Sequence, residues 1–261
     1  MFCTLCIAIA VTITAILFAA LLTLVFMPSP QDVVRALKSK EMVFSLKLTI
    51  ETALASTAAV MAVSIPAAYA IARHSFLGKS LVRTIIDMPI AMPELVLGLA
   101  LLLLFGRTPL GTALAYLGIR IVFTKLGVIV AEFFTALPYT MRMLCSSFEA
   151  INPRYELVSR SLGYSELETF FRVTLPLARS GIIASTIVAF ARSVGTFGTV
   201  LILAGGTYMV TETLPITLYL NISYGNLGMA ITSGLLLLAI SFTTILAIEK
   251  LGGGAPWGSS R

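Results

Sequence analysis

The chain has 261 residues, of which 58% are hydrophobic and only 11% charged, with a formal net charge of +6. So apolar a composition excludes a soluble domain throughout and fits a polytopic, all-α membrane protein. The positive charge is spread over short loops, which fits loop retention at a membrane face rather than nucleic-acid binding. Leu5–Phe26 supplies about the 20 apolar residues that a span needs. Cys3 and Cys6 lie inside that run with no second pair, and Cys145 stands alone, so neither a disulfide framework nor a metal site is implied. The run is too long for a signal peptide and lacks a basic start.

Ser29, Pro30 and Asp32 open a short amphipathic piece that can lie at the interface. The second span is Leu46–Ala72, with Glu51 near its start and Pro66 near its end, followed by a basic loop carrying Arg73, His74, Lys79 and Arg83. The third runs from Ile85 to Phe105. Pro89 and Pro93 remove two helix hydrogen bonds there and should bend or break it beside Glu94. Gly106, Pro109 and Gly111 read as a loop. The fourth span is Leu126–Leu144, with Glu132 and Pro138 inside. The fifth is Leu177–Leu203, with Arg192 in its middle and Gly195 and Gly198 beyond. Gly205–Asn226 reads as a connection without Lys or Arg, and Leu227–Ile248 is the sixth span. Residues 1–251 form one transmembrane domain on this reading, and the Gly-rich tail 252–261 is expected to be disordered.

Between the fourth and fifth spans lies the longest polar run, Asn152–Pro176. Asn152 can cap a helix that Pro153 opens, and Gly163 can end it in the left-handed conformation. Ser165 and Glu168 form a capping box for a second short helix, which Pro176 should end. Arg142, Arg154, Arg160, Arg172 and Arg179 cluster around this loop. Basic residues mark the cytoplasmic side, so the loop and both termini are expected inside the cell. An ordinary cytoplasmic loop is the plain alternative.

The loop resembles the cytoplasmic EAA motif of ABC importer permeases. Gly163, Val173, Leu175 and Pro176 match that motif's spacing. Its Glu-Ala-Ala positions read Leu157, Val158 and Ser159 here, with Glu156 one residue early. Further pieces are similar to the molybdate, tungstate and sulfate branch: Pro66–Arg73, Met88–Pro93 with Gly98, Gly106–Gly111, Phe190–Arg192, and Thr213–Pro215. So is Gly195-Thr-Phe-Gly198, where Thr196 stands in place of the branch's usual Glu.

The resemblance implies a type I importer subunit with six transmembrane helices, working by alternating access without cofactor. Its implied partners are a second, identical permease subunit, two copies of an ABC ATPase subunit, an extracytoplasmic oxyanion-binding protein and the lipid bilayer. Molybdate or tungstate is the first expected substrate and sulfate the second. The chain has no phosphate loop and no clustered catalytic set, so a separate subunit must hydrolyse ATP.

Tyr155, Glu156, Leu157, Ser161, Leu162, Gly163, Tyr164, Leu175 and Pro176 are the expected ATPase-coupling residues. Tyr155, Leu157, Leu162, Tyr164 and Phe170 can supply the loop's apolar contact face. Pro89, Pro93, Glu94, Arg192, Gly195 and Gly198 are the pore or gate candidates. Arg192 serves either the pore or an ion pair with Glu132 or Glu94. His74 is expected to face lipid headgroups, and Glu51 and Asp87 to snorkel from span ends. Two other classes stay open: an ion-coupled secondary transporter, which usually shows paired broken helices, and an intramembrane enzyme.

Overall fold

A computed structural model describes residues 2–251, all helix and short connections; the expected disorder of 252–261 falls outside them. α1 (Phe2–Phe26) is apolar on every side and packs only lightly, on the last helix, as a lipid-facing span does. α2 (Pro30–Leu37) is the amphipathic piece. Ser29 caps it by accepting from the Asp32 N–H, and Pro30 sits at its start.

α3 (Lys40–Arg73), α7 (Lys125–Glu149) and α11 (Arg179–Gly195) pack together as the centre of the bundle. Their facing positions are small or hydroxylic. Ala53, Ala131, Ala136 and Ala189 are fully buried, as are Ser45, Thr52, Ser56 and Thr140. Small side chains let membrane helices approach, and there is no water-driven collapse to substitute for that closeness. The hydroxyls are satisfied locally: Thr49 donates to the Ser45 carbonyl at 2.7 Å and Thr140 to that of Ala136 at 3.0 Å.

The third span is corrected in shape. α4 (Lys79–Ala91) and α5 (Glu94–Arg107) meet at 118°, far more than a kink. Pro89 lies inside α4 and Pro93 precedes α5, so the break falls where two N–H donors are missing or displaced. The expected loop after Gly106 is also helical, as α6 (Pro109–Tyr116), opened by a proline that suits a helix start. The fifth span breaks after Gly195. α11 stops there, and α12 (Gly198–Leu203) begins after Thr196 and Phe197. α12 lies against α5 so closely that a Cβ on Gly98 would fall 3.0 Å from the Thr199 Cα.

The expected connection Gly205–Asn226 contains α13 (Leu214–Ser223), whose first four residues are buried. At ten residues it is too short for a span and shows no charge pattern, which is why it read as a connection. Thr49 accepts its first N–H, from Leu214, at 2.8 Å. α14 (Leu227–Leu251) closes the chain. Among the described residues four helices are unbroken and long enough to cross a membrane, and two bent pairs bring the total to six.

Candidate functional site

The polar run folds as helix, glycine turn, helix. Asn152 Oδ1 accepts from the Arg154 N–H at 3.0 Å, one position earlier than a helix starting at Pro153 would need. α8 (Arg154–Ser161) then ends in a Schellman turn: the Tyr164 N–H reaches the Ser159 carbonyl and the Gly163 N–H that of Arg160. Gly163 has φ +93°, the left-handed conformation that favours glycine. Both bonds of the capping box are present, Glu168 N–H to Ser165 Oγ at 3.2 Å and Ser165 N–H to Glu168 Oε2 at 2.9 Å. That backbone N–H, then the Ser165 hydroxyl, holds the Glu168 carboxyl below its ordinary range.

α9 (Glu166–Thr169) does not stop at Pro176. It widens into a π-turn over Phe170–Thr174 and continues as α10 (Leu175–Leu177), and the chain then bends 74° into α11. Pro176 falls in the first turn of α10, where its missing N–H leaves no helical bond unmade.

The loop's two faces differ. Its inner face is pinned to the span ends. Glu156 Oε1 accepts from Arg73 Nε at 2.9 Å and from Thr174 Oγ1 at 2.8 Å, and Arg73 also donates to the Ile151 carbonyl at 3.0 Å. The ion-paired side chains are 9% and 12% exposed, so the carboxylate expected at the contact surface faces the bundle instead. Ser159 and Thr169 join the two helices at 3.0 Å. Phe170 also turns inward, its ring 4.8 Å from that of Tyr69. His74 lies 3.4 Å from Glu166 Oε1, at the loop.

The outer face keeps Tyr155, Leu157 and Leu162 in solvent, with Leu162 74% exposed, and adds Val158, Leu167 and Phe171, which sequence alone does not single out. Tyr164 is partly covered by Arg172, whose guanidinium lies 5.3 Å from its ring centre. Ser161 is exposed, Leu175 half-buried and Pro176 exposed. Arg73 and Thr174 were missed as anchors; a basic residue closing a span gives only a weak signal.

The pore candidates separate. Glu94 ties the two broken spans together: its Oε2 accepts from the Gly198 N–H at 2.9 Å and the Phe197 N–H at 3.3 Å. Glu132 is 1% exposed and accepts from Thr52 at 2.8 Å. Neither carboxylate pairs with Arg192, so the expected ion pair is absent. Arg192 is exposed, with its guanidinium 3.9 Å from the Tyr139 ring centre. Asp87 pairs with Arg142 at 3.0 Å, and Glu51 with Lys47 and Lys125. Gly195 has open space around it; Pro89 and Pro93 frame the α4–α5 break.

A helical bundle with two broken spans and a pinned helix-turn-helix loop is the architecture of an importer's transmembrane subunit. A solved bacterial alginate ABC transporter, in complex with a pentasaccharide-bound periplasmic protein, has this fold: TM-score 0.71 at 15% identity, covering 93% of this chain and 91% of that one. Residues 61–251 match the family described as binding-protein-dependent transport system inner membrane component, and the chain belongs to it. It is a transport subunit of the membrane, and ATP hydrolysis belongs to a separate subunit. The molybdenum transport system permease protein ModB of Mycobacterium tuberculosis is 36% identical over 206 residues, 78% of this chain and 77% of the relative. The sulfate transport system permease protein CysW of Synechocystis is 32% identical over 184 residues, 70% and 67%.

Proposed function

We propose that this subunit carries a tetrahedral oxyanion, molybdate or tungstate, inward by alternating access. Residues 1–251 act as one membrane domain with both termini in the cytoplasm. Two identical copies enclose the pore, two ATPase subunits dock below, and an extracytoplasmic binding protein delivers the anion. The 36% identity to a molybdenum permease supports the substrate.

The observation that carries the reading is the loop's outer face. Tyr155, Leu157, Val158, Leu162 and Leu167 stand exposed on a segment rich in charge and held rigidly from behind. Exposed apolar residues outside the lipid are costly unless another protein covers them. A helix end locked to Arg73 can also pass a push from that protein to α3 and α11. Sulfate is the second reading, favoured by the similarity to a sulfate permease.

The test is the reconstituted complex in vesicles, with ATPase activity stimulated by loaded binding protein. Cysteines placed at Ser161 and Tyr164 should crosslink to the ATPase subunit, and one at Ser223 should not. Exchange of the binding protein for a sulfate-specific one that still docks should change the anion carried. Absent loop crosslinks, together with normal stimulated activity in Gly163→Val, would overturn the coupling role.

A further inference from the structure

α7 and α11 touch most closely at Gly181, where an added Cβ would collide with Ser147 Oγ. Beside that crossing an open groove of about 480 Å³ is lined by Arg142, Ser146, Ser147 and Ser180. Along α7, Tyr139, Arg142 and Ser146 recur at helical spacing on one face. Along α11, Ser180, Ala184, Val188 and Arg192 do the same. Ser147 against Gly181 at one end and Tyr139 against Arg192 at the other make this a single antiparallel seam. Arg142 lies one turn from Tyr139, roughly 5 Å of axial rise. Two guanidinium groups therefore stand in succession along it, and hydroxyl groups follow.

We propose that this seam is the anion's path through the subunit, with Arg192 and Arg142 as successive stations and the serine-lined groove as the exit. It rests on the oxyanion reading above. A dianion among apolar helices needs a cation that is not already neutralised. Arg192 is in no ion pair among the described residues. Stacking on Tyr139 leaves its in-plane N–H fork available for two oxygens of one tetrahedral anion. The nearby carboxylates are engaged elsewhere, Glu94 by the Gly198 N–H and Glu132 by Thr52.

Arg142 differs, because Asp87 of α4 holds it at 3.0 Å with side chains 65% and 36% exposed. So wet a pair is weak, and an arriving anion can displace Asp87. Arg142 borders both this groove and the cavity on the α4 side, so a shift of α4 turns the second station on or off.

The test measures labelled molybdate uptake per ATP hydrolysed, in vesicles holding the full complex with its binding protein. Arg192→Gln and Arg142→Gln should each lower that ratio roughly tenfold, the worth of one charged hydrogen-bond pair. Arg192→Lys should recover part of it, and Asp87→Asn should raise the apparent affinity of the second station. Arg35→Gln, an exposed cation elsewhere, should change nothing. The amount of assembled complex is read for each variant, and the Lys variant keeps the test valid if Gln prevents assembly. Wild-type ratios in both Gln variants overturn the seam alone, as does a Lys variant no better than Gln. A wild-type complex that carries neither molybdate, tungstate nor sulfate overturns the proposed function itself.

Discussion

On α3 the buried face is polar, with Ser45, Thr49, Thr52 and Ser56, while Val43, Leu54 and Val63 point outward. The loop 152–176 also hides polar groups, Glu156, Ser159 and Thr174, and shows apolar ones, Leu157, Val158 and Leu162. The two patterns look alike and have different causes. Around α3 the outer surface meets lipid, so apolar side chains there need no protein partner, and inner hydroxyls bond across helices because no water reaches them. Around the loop the surroundings are water, so the same inside-out pattern leaves an apolar surface in need of cover. The difference teaches where to look for a subunit interface: in the charged part of the chain, at its few exposed aliphatic residues.

The largest expected effect breaks the loop's inner face. Glu156→Ala leaves the Arg73 guanidinium buried without its carboxylate, a loss of about 3 kcal/mol by the behaviour of other buried pairs. The loop should become protease-sensitive and the assembled ATPase complex scarce; an intact, assembled Glu156→Ala complex would show that the pin does not hold the loop. In the bundle, Thr52→Val removes the sole described donor to Glu132, for about 2 kcal/mol. It should lower the melting temperature of the detergent-solubilised subunit while the loop's protease pattern stays unchanged. If both variants alter both readouts, the two regions are one cooperative unit.

Gly163→Val sharpens the comparison at a smaller scale. No atom lies within 4 Å of the added Cβ, so the strain is that of φ +93° alone, about 1 kcal/mol or somewhat more. The bundle should melt as before, while stimulated ATPase activity falls. Smallest is Leu162→Ser on the outer face. Folding should not change, and the complex should dissociate a few-fold faster, as expected when one apolar side chain at the rim of an interface is cut back. Unchanged dissociation would place the docking surface elsewhere on the loop.

The loop was the most legible part of the sequence, because caps and turns are local. Gly163 and the Ser165–Glu168 box sit where spacing placed them. The spans were legible as apolar runs. Less was visible of what depends on the meeting of distant segments. No local signal says that Glu156 turns toward Arg73, that Phe170 joins Tyr69 and Phe148, or that Arg192 lies on a tyrosine instead of a carboxylate. Two prolines announced a break but not its 118°, which the close packing of Gly98 on α12 helps to set. Short α13 has neither the length of a span nor the polarity of a loop, so hydropathy alone misreads it.

The π-turn at Phe170–Thr174 carries one residue more than an α-turn there would need, and the Leu175 N–H reaches back five residues to the Phe170 carbonyl. That extra residue sets the phase at which Thr174 returns to Glu156. Deleting Arg172 would restore ordinary pitch and swing everything after it by roughly 100°. The loop therefore tolerates changes of letter on its outer face but not changes of length. A library of point substitutions should pass through this stretch largely intact, and a library of single-residue deletions should leave a gap there as sharp as in any membrane span.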